Sequence, residues 1–116
     1  DLYSTLGYFY IKRNLLDQGI DQFKTLASSI PKNSPLHLYT GYLYGYKNDL
    51  VKAEAEFNQA LANDSTNPEV YEAFGSLYLQ RKELEKAITS FEKSLKLNPN
   101  QPKIKSLLSD LRKRRF

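Results

Sequence analysis

Slid against itself by 34 residues, the sequence brings Gly7, Gly41 and Gly75 into one column, then Tyr10, Tyr44 and Tyr78, then Leu16, Leu50 and Leu84, then Phe23, Phe57 and Phe91. Two further columns hold similar residues: Tyr3, His37 and Tyr71 before the glycines, and Gly19, Ala53 and Ala87 between the leucines and phenylalanines. A period of this length restricts the chain to an array of like units that bury a shared core. The length of 116 residues allows one compact domain or such an array, and two independent domains do not fit.

Within each copy the pattern predicts two helices, the first over 1–13, 35–47 and 68–81, the second over 16–29, 50–62 and 84–96. Leu84, Ala87, Ile88, Phe91 and Leu95 recur at spacings of three and four, the apolar face of one helix, while Glu83, Glu85, Lys86, Glu92 and Lys93 take the remainder. Pro31 and Pro99 disfavour helical geometry in the residue before them and so end the second helices of copies one and three, with Ser65 in that place in copy two. Ser34-Pro35 and Asn67-Pro68 each read as an N-cap followed by proline in the first turn of the next helix. Short turns at Asn14-Leu15, Asn48-Asp49 and Lys82-Glu83 make the paired helices antiparallel. A glycine inside a helix costs about 1 kcal/mol relative to alanine, so three in register predict a close helix contact at each. The aromatic columns beside them fill the space, each buried ring contributing roughly 2–3 kcal/mol.

The strings YSTLGYFY, HLYTGYLYGY and YEAFGSLYLQ, each followed by a small residue and then a phenylalanine, resemble tetratricopeptide repeats over residues 1–101, most closely in the third copy. Tyr71 stands where that family often has tryptophan, His37 departs in copy two, and Gly19 replaces the usual alanine in copy one. The resemblance implies an all-α fold, an α-solenoid with right-handed superhelical sense and seven helices. Its divisions would be 1–33, 34–67 and 68–101 for the three repeats and 102–116 for a C-terminal capping helix with a basic tail. In that last segment Ile104, Leu107, Leu108 and Leu111 form an amphipathic stripe suited to covering a core. No comparable cap precedes copy one, so Leu2, Leu6 or Phe9 is expected to be left partly exposed; either more repeats lie upstream in a parent chain or that end pairs with something, self-association included.

Hydrophobic residues at 41% and charged residues at 26% suit a soluble globular chain, and no apolar run is long enough to span a bilayer. The chain starts at Asp1 with no basic segment leading into an apolar one, so it reads as a piece of a longer chain with no signal peptide in view. The net charge of +4 belongs to the tail: residues 102–116 hold six Lys or Arg against one Asp, or +5, and residues 1–101 hold eleven against twelve, or −1. Arg112, Lys113, Arg114 and Arg115 support an alternative function, an adaptor whose tail contacts nucleic acid or an anionic surface. Basic residues in the last turn of a helix are also stabilised by its own dipole, without a partner. No nucleic-acid partner is expected.

Chemistry has little to stand on. With no cysteine and one histidine there is no ligand set for a transition metal, and no cofactor or metal is expected. His37 reads as a packing residue. Glu54 and Glu56, or Glu83 and Glu85, are two apart on helices and cannot face each other as an acid and base pair, which leaves them as solvated surface. Asn63-Asp64-Ser65 matches a glycosylation acceptor, meaningful only in a secreted chain. The chain is therefore read as non-catalytic.

In tetratricopeptide proteins the first helices of the repeats line a groove for an extended peptide or a helix. Carried over by resemblance, the groove residues here are Ser4, Tyr8 and Lys12, then Leu38, Tyr39, Tyr42 and Tyr46, then Glu69, Glu72, Ser76 and Gln80. Tyr39, Tyr42 and Tyr46 are spaced along one helical face, and tyrosine both packs well and is enriched at binding hot spots. Some members clamp the acidic C-terminal tail of heat-shock chaperones with Lys, Asn and Arg. At the matching positions this chain has Ser4, Tyr8, Tyr39, Glu69 and Ala73, so the expected partner is a protein with an apolar or aromatic segment and not that acidic tail.

Overall fold

The computed structural model describes residues 1–114, and among them the chain is all-α, seven helices with no strand. They are α1 Leu2–Lys12, α2 Leu16–Ser29, α3 Ser34–Tyr46, α4 Leu50–Asn63, α5 Pro68–Gln80, α6 Leu84–Leu97 and α7 Pro102–Lys113. Each lies within a few residues of its expected place. Two compact units divide the chain, Asp1–Ser65 with α1 to α4 and the residues from Thr66 on with α5 to α7.

Side-chain caps start most helices by accepting a free backbone N–H. Asp1 Oδ1 accepts from Ser4 N at 2.8 Å, Asp49 Oδ1 from Lys52 N at 3.2 Å, and Asn67 Oδ1 from Glu69 N at 3.0 Å. At α3 the cap is Asn33, whose Oδ1 accepts from Leu36 N at 2.9 Å, and not Ser34. Ser34 has a different task. Its buried hydroxyl donates to the carbonyl of Ala60 near the end of α4, at 2.8 Å. In the other unit the same two positions are joined in reverse, Ser94 Oγ donating to the Pro68 carbonyl at 2.9 Å. Either bond ties the start of a first helix to the end of its partner.

The turns between paired helices are alike in all three copies. Asn14, Asn48 and Lys82 adopt left-handed φ values of 55°, 62° and 62°. The next residue then donates back to the tyrosine column: Leu15 N to Tyr10 O at 2.8 Å, Asp49 N to Tyr44 O at 2.9 Å, and Glu83 N to Tyr78 O at 2.8 Å. This is the six-to-one bond of a Schellman motif, with asparagine in two copies and lysine in the third at the left-handed position.

The first unit has Phe23, Leu36, Leu43, Ala53, Phe57 and Ala60 in its core, and the second packs Ala87, Ile88 and Phe91 of α6 with Ile104, Leu108 and Leu111 of α7. The α7 stripe continues the repeat beyond residue 101. Pro102, Ile104 and Leu111 stand 34 residues beyond Pro68, Val70 and Leu77, so α7 has the pattern of a fourth first helix.

Glycines in the repeat column have unequal roles. A Cβ at Gly41 would lie 2.6 Å from Cδ1 of Phe57, and one at Gly75 would lie 2.6 Å from Cε1 of Phe91. In both hairpins the glycine admits the ring of the phenylalanine column. At Gly7 the nearest atom is Tyr39 Cβ at 3.4 Å, an ordinary contact, and copy one does not require glycine there. The expectation of a close approach at all three glycines therefore fails at Gly7.

Candidate functional site

The carried-over groove residues lie on α1, α3 and α5. In the first unit Tyr8 is 61% exposed with the Lys12 ammonium 5.2 Å from its ring centroid, and Tyr46 is 66% exposed near the end of α3. Between them in character are Tyr39 and Tyr42, half-buried, their ring centroids 5.4 Å apart and tilted by 53°. Tyr42 also meets Phe57 edge to face at 5.6 Å. That ring belongs to the core as much as to the surface. Leu38 is 1% exposed, which corrects its place among the contact residues: α3 buries its other flank too, and Leu38 is on it. Ser4 is half-buried, its backbone N–H taken by the Asp1 cap.

In the second unit Glu69 and Glu72 are half-buried on the first turns of α5, and Ser76 and Gln80 are exposed further along. Burial, and secondarily the charge of Glu69, pushes the Glu72 carboxyl above its ordinary value of 4.5. The first two turns of α5 thus carry two carboxylates, of which Glu72 is the one held above its ordinary range.

Also on α3, His37 is buried with both ring nitrogens engaged, Nδ1 with Glu56 Oε1 at 2.8 Å and Nε2 with the Pro31 carbonyl at 2.6 Å. A carbonyl only accepts, so Nε2 carries a hydrogen. His37 links α3 to α4 and to the α2–α3 turn, as a packing residue does. Glu56 is therefore no solvated surface group, and neither is Glu83, half-buried with Lys86 Nζ 3.4 Å from its Oε2. Spacing within one helix could not reveal the Glu56 partnership with His37, whereas Glu83 and Lys86 are an i,i+3 pair that it does reveal. Among the described residues no group of three or more His, Cys, Asp or Glu could hold a metal ion, and no helix is long and apolar enough to cross a membrane.

Of the basic run, Arg112 Nη2 donates to Glu92 Oε2 on α6 at 2.7 Å, while Lys113 and Arg114 are exposed. Arg115 lies outside the described residues. At the other sequence motif, Asn63 Nδ2 donates to the Gln59 carbonyl at 2.8 Å.

Antiparallel helix pairs in 34-residue register, joined by left-handed turns and packed through a small-residue and a phenylalanine column, define an all-α helical-repeat protein. A family model described as tetratricopeptide repeat matches residues 47–111, and the chain belongs to that family. No curated protein sequence matches the chain. Among solved structures, the first TPR domain of Spaghetti (RPAP3) bound to the HSP90 peptide SRMEEVD is 23% identical, with 97% of this chain and 89% of that one covered at a TM-score of 0.85. PcrH in complex with the chaperone-binding region of PopD is 16% identical, with 99% and 92% covered at a TM-score of 0.85. A thermophilic TPR protein of Thermus thermophilus, TTC0263, is 29% identical at a TM-score of 0.78, with 85% of this chain covered, and the chain spans 50% of that protein's length.

Proposed function

We propose that the chain is a non-catalytic protein-interaction module that takes an apolar or aromatic peptide or helical segment of a partner protein against α1 and α3 of its first unit; in the second unit, by itself, the carboxylates of α5 favour a basic partner side chain. The observation that carries this reading is Tyr46, 66% exposed on the same helical stripe as the Tyr39–Tyr42 pair. A large amphipathic ring held beside an ordered aromatic pair is the usual make-up of a binding hot spot. The neighbours lend support of a general kind, since one holds an HSP90 peptide and another a segment of PopD.

Tyr8, Lys12, Tyr39, Tyr42, Tyr46, Glu69, Glu72, Ser76 and Gln80 are the proposed contact residues, and Leu38 is withdrawn from that set because it is buried. The test uses the partner recovered by crosslinking from extract. Tyr46→Ala and Tyr8→Ala should leave the helical spectrum and melting temperature unchanged and weaken binding by about fivefold or more each. Tyr42→Ala is a poor substitute because it also removes an edge-to-face contact with Phe57. The synthetic peptide SRMEEVD should not bind, because Glu69 and Glu72 repel its acidic side chains. Unchanged affinity in both tyrosine variants, or tight binding of SRMEEVD, overturns the proposal.

A further inference from the structure

His37 is the only histidine of the chain and the one non-tyrosine in its column, where the other copies have Tyr3 and Tyr71. Those two act through their rings: Tyr3 meets Phe23 edge to face at 6.3 Å, and the Lys93 ammonium is 5.8 Å from the Tyr71 centroid. The imidazole acts through its nitrogens, and both of its neighbours are acceptors, Glu56 Oε1 at 2.8 Å from Nδ1 and the Pro31 carbonyl at 2.6 Å from Nε2. Protons can be counted from these distances. The carbonyl has none to give, so Nε2 keeps its own. The Nδ1–Oε1 contact needs a second, because a bare imidazole nitrogen and a bare carboxylate would meet lone pair to lone pair. Whichever of the two atoms holds it, that proton belongs to the pair.

These groups tie three elements at one place. His37 is on α3, Glu56 is on α4, and Pro31 is in the link from α2 to α3. The link's own backbone bond, from Asn33 N to Ile30 O, is long at 3.3 Å, and Pro31 has no N–H to add another. Other charged groups on the packed elements are paired, capping or exposed. Asp17 of α2 pairs with Lys47, Asp49 caps α4, and the Lys52 ammonium lies over the Tyr44 ring. Lys12, Arg13, Asp21, Lys24 and Lys32 are exposed, and Glu54, two residues from Glu56, is on another side of α4. Besides His37, α3 carries no ionisable side chain but its tyrosines.

We infer that His37 and Glu56 form a proton-operated latch on the α2–α3 link. With the proton in place, α3, α4 and the link are held through one ring. When it leaves, two lone pairs face each other at 2.8 Å in a site that solvent reaches only in part, and the contact opens as half-buried Glu56 turns to water. The ring then no longer holds Nε2 against Pro31, and the α1/α2 hairpin gains freedom against α3, where Gly7 lies next to Tyr39. The latch is closed at acidic pH and opens as pH rises.

The test titrates the whole chain from about pH 5 to about pH 8 while the single imidazole and the backbone amides are followed by NMR. One shared step is expected in the His37 ring, the Glu56 carboxyl carbon and the amides of Lys32, Asn33 and Gly7. Above the step, amide exchange at Lys32 and Asn33 should be at least about threefold faster than in Glu56→Gln at the same pH. Glu56→Gln is the decisive variant, since a carboxamide donates to a bare Nδ1 or accepts from a protonated one and keeps the ring in place at either pH. His37→Tyr, which installs the residue of the other two copies, should also lack the step in the link amides, and Glu54→Gln should keep it. Melting temperatures at about pH 5 verify that the variants fold, and Glu56→Gln suffices by itself if His37→Tyr does not fold. The inference is overturned if the imidazole titrates without moving the link amides, if their step survives in Glu56→Gln, or if no step occurs across the range.

Discussion

In the α3/α4 hairpin the ring of Phe57 lies against Gly41, whereas in the α1/α2 hairpin Phe23 is met edge to face by Tyr3 at 6.3 Å and by Tyr10 at 5.8 Å, and Gly7 faces Tyr39 instead. The tyrosine column diverges with it. Tyr44 has the Lys52 ammonium 5.7 Å from its ring centroid, but copy one has Gln18 at the equivalent position and Tyr10 turns toward Gly19, where a Cβ would meet its ring at 2.7 Å. Copy one thus needs its small residue at 19 and tolerates a larger one at 7. An identical letter in a repeat column records the same place in the repeat and not a shared contact.

The comparison breaks most sharply under alanine. Gly41→Ala forces a methyl group into a buried aromatic ring, and overpacking of this kind costs about 1–3 kcal/mol against a helix-propensity gain of up to about 1 kcal/mol. Net destabilisation is expected in denaturant unfolding, and Gly75→Ala should follow it. Gly7→Ala places its methyl group at ordinary contact distance from Tyr39, so it should gain about 0.5–1 kcal/mol. Equal losses in both variants would mean that the two hairpins pack alike.

A second contrast concerns the hydroxyl tie between helix ends. Ser34 and Ser94 each close a hairpin by bonding a carbonyl, and the position equivalent to Ala60 and Ser94 in copy one is Leu26, which is exposed. Ser34→Ala and Ser94→Ala should each lose about 1 kcal/mol in equilibrium unfolding. Amide exchange should quicken at the hairpin's open end and leave the turn at Asn48 or Lys82 protected. Loss spread evenly along both helices would contradict a local tie.

Much of the architecture was legible because the repeat states each element three times, and helix periodicity, proline and the turn residues are all local signals. The left-handed turns sit where Asn14, Asn48 and Lys82 marked them. Contacts were less legible. Ser34 looked like a cap because serine before proline usually is one, but Asn33 was a residue nearer the turn and Ser34 found a carbonyl across the hairpin. Leu38 passed for a groove residue because the family's pattern placed it there, and a helix packed against α1, α2 and α4 has less free surface than that pattern shows. Extending the 34-residue comparison past 101 would have exposed the fourth copy in α7. Of the site, Tyr8 was readable through the family's pattern and Tyr46 also through its spacing with Tyr39 and Tyr42, but nothing local distinguished these two exposed rings from the half-buried Tyr39.

The turns offer a smaller effect. Lys82 holds the left-handed conformation that asparagine holds in the other two copies, and a Cβ-bearing residue without a short polar side chain is disfavoured there. Lys82→Asn should raise stability by about 0.5 kcal/mol, read as a higher denaturation midpoint with an unchanged denaturant slope. Asn48→Lys should give the opposite sign. Matching changes of sign would show that the three turns are interchangeable even though the hairpins they close are not.

The smallest effect tests a column in which one copy buries leucine and another a carboxylate: Glu72 of α5 is the counterpart of Leu38 of α3. Burial first, and the Glu69 charge second, raise the Glu72 carboxyl above 4.5, so the folded chain holds that proton more tightly than the unfolded chain does. Stability from this source is complete below the unfolded value and is lost as pH rises through the folded one. At neutral pH the ionised group is therefore a slight burden, lessened by the solvent still reaching it. Glu72→Gln should melt slightly above the parent at pH 7, with the difference closing as pH falls toward 4. A difference that persisted below pH 4 would assign the effect to shape and not to charge. Saturating basic partner should shrink it at pH 7, because a cation beside Glu69 and Glu72 offsets the same charge that the substitution removes.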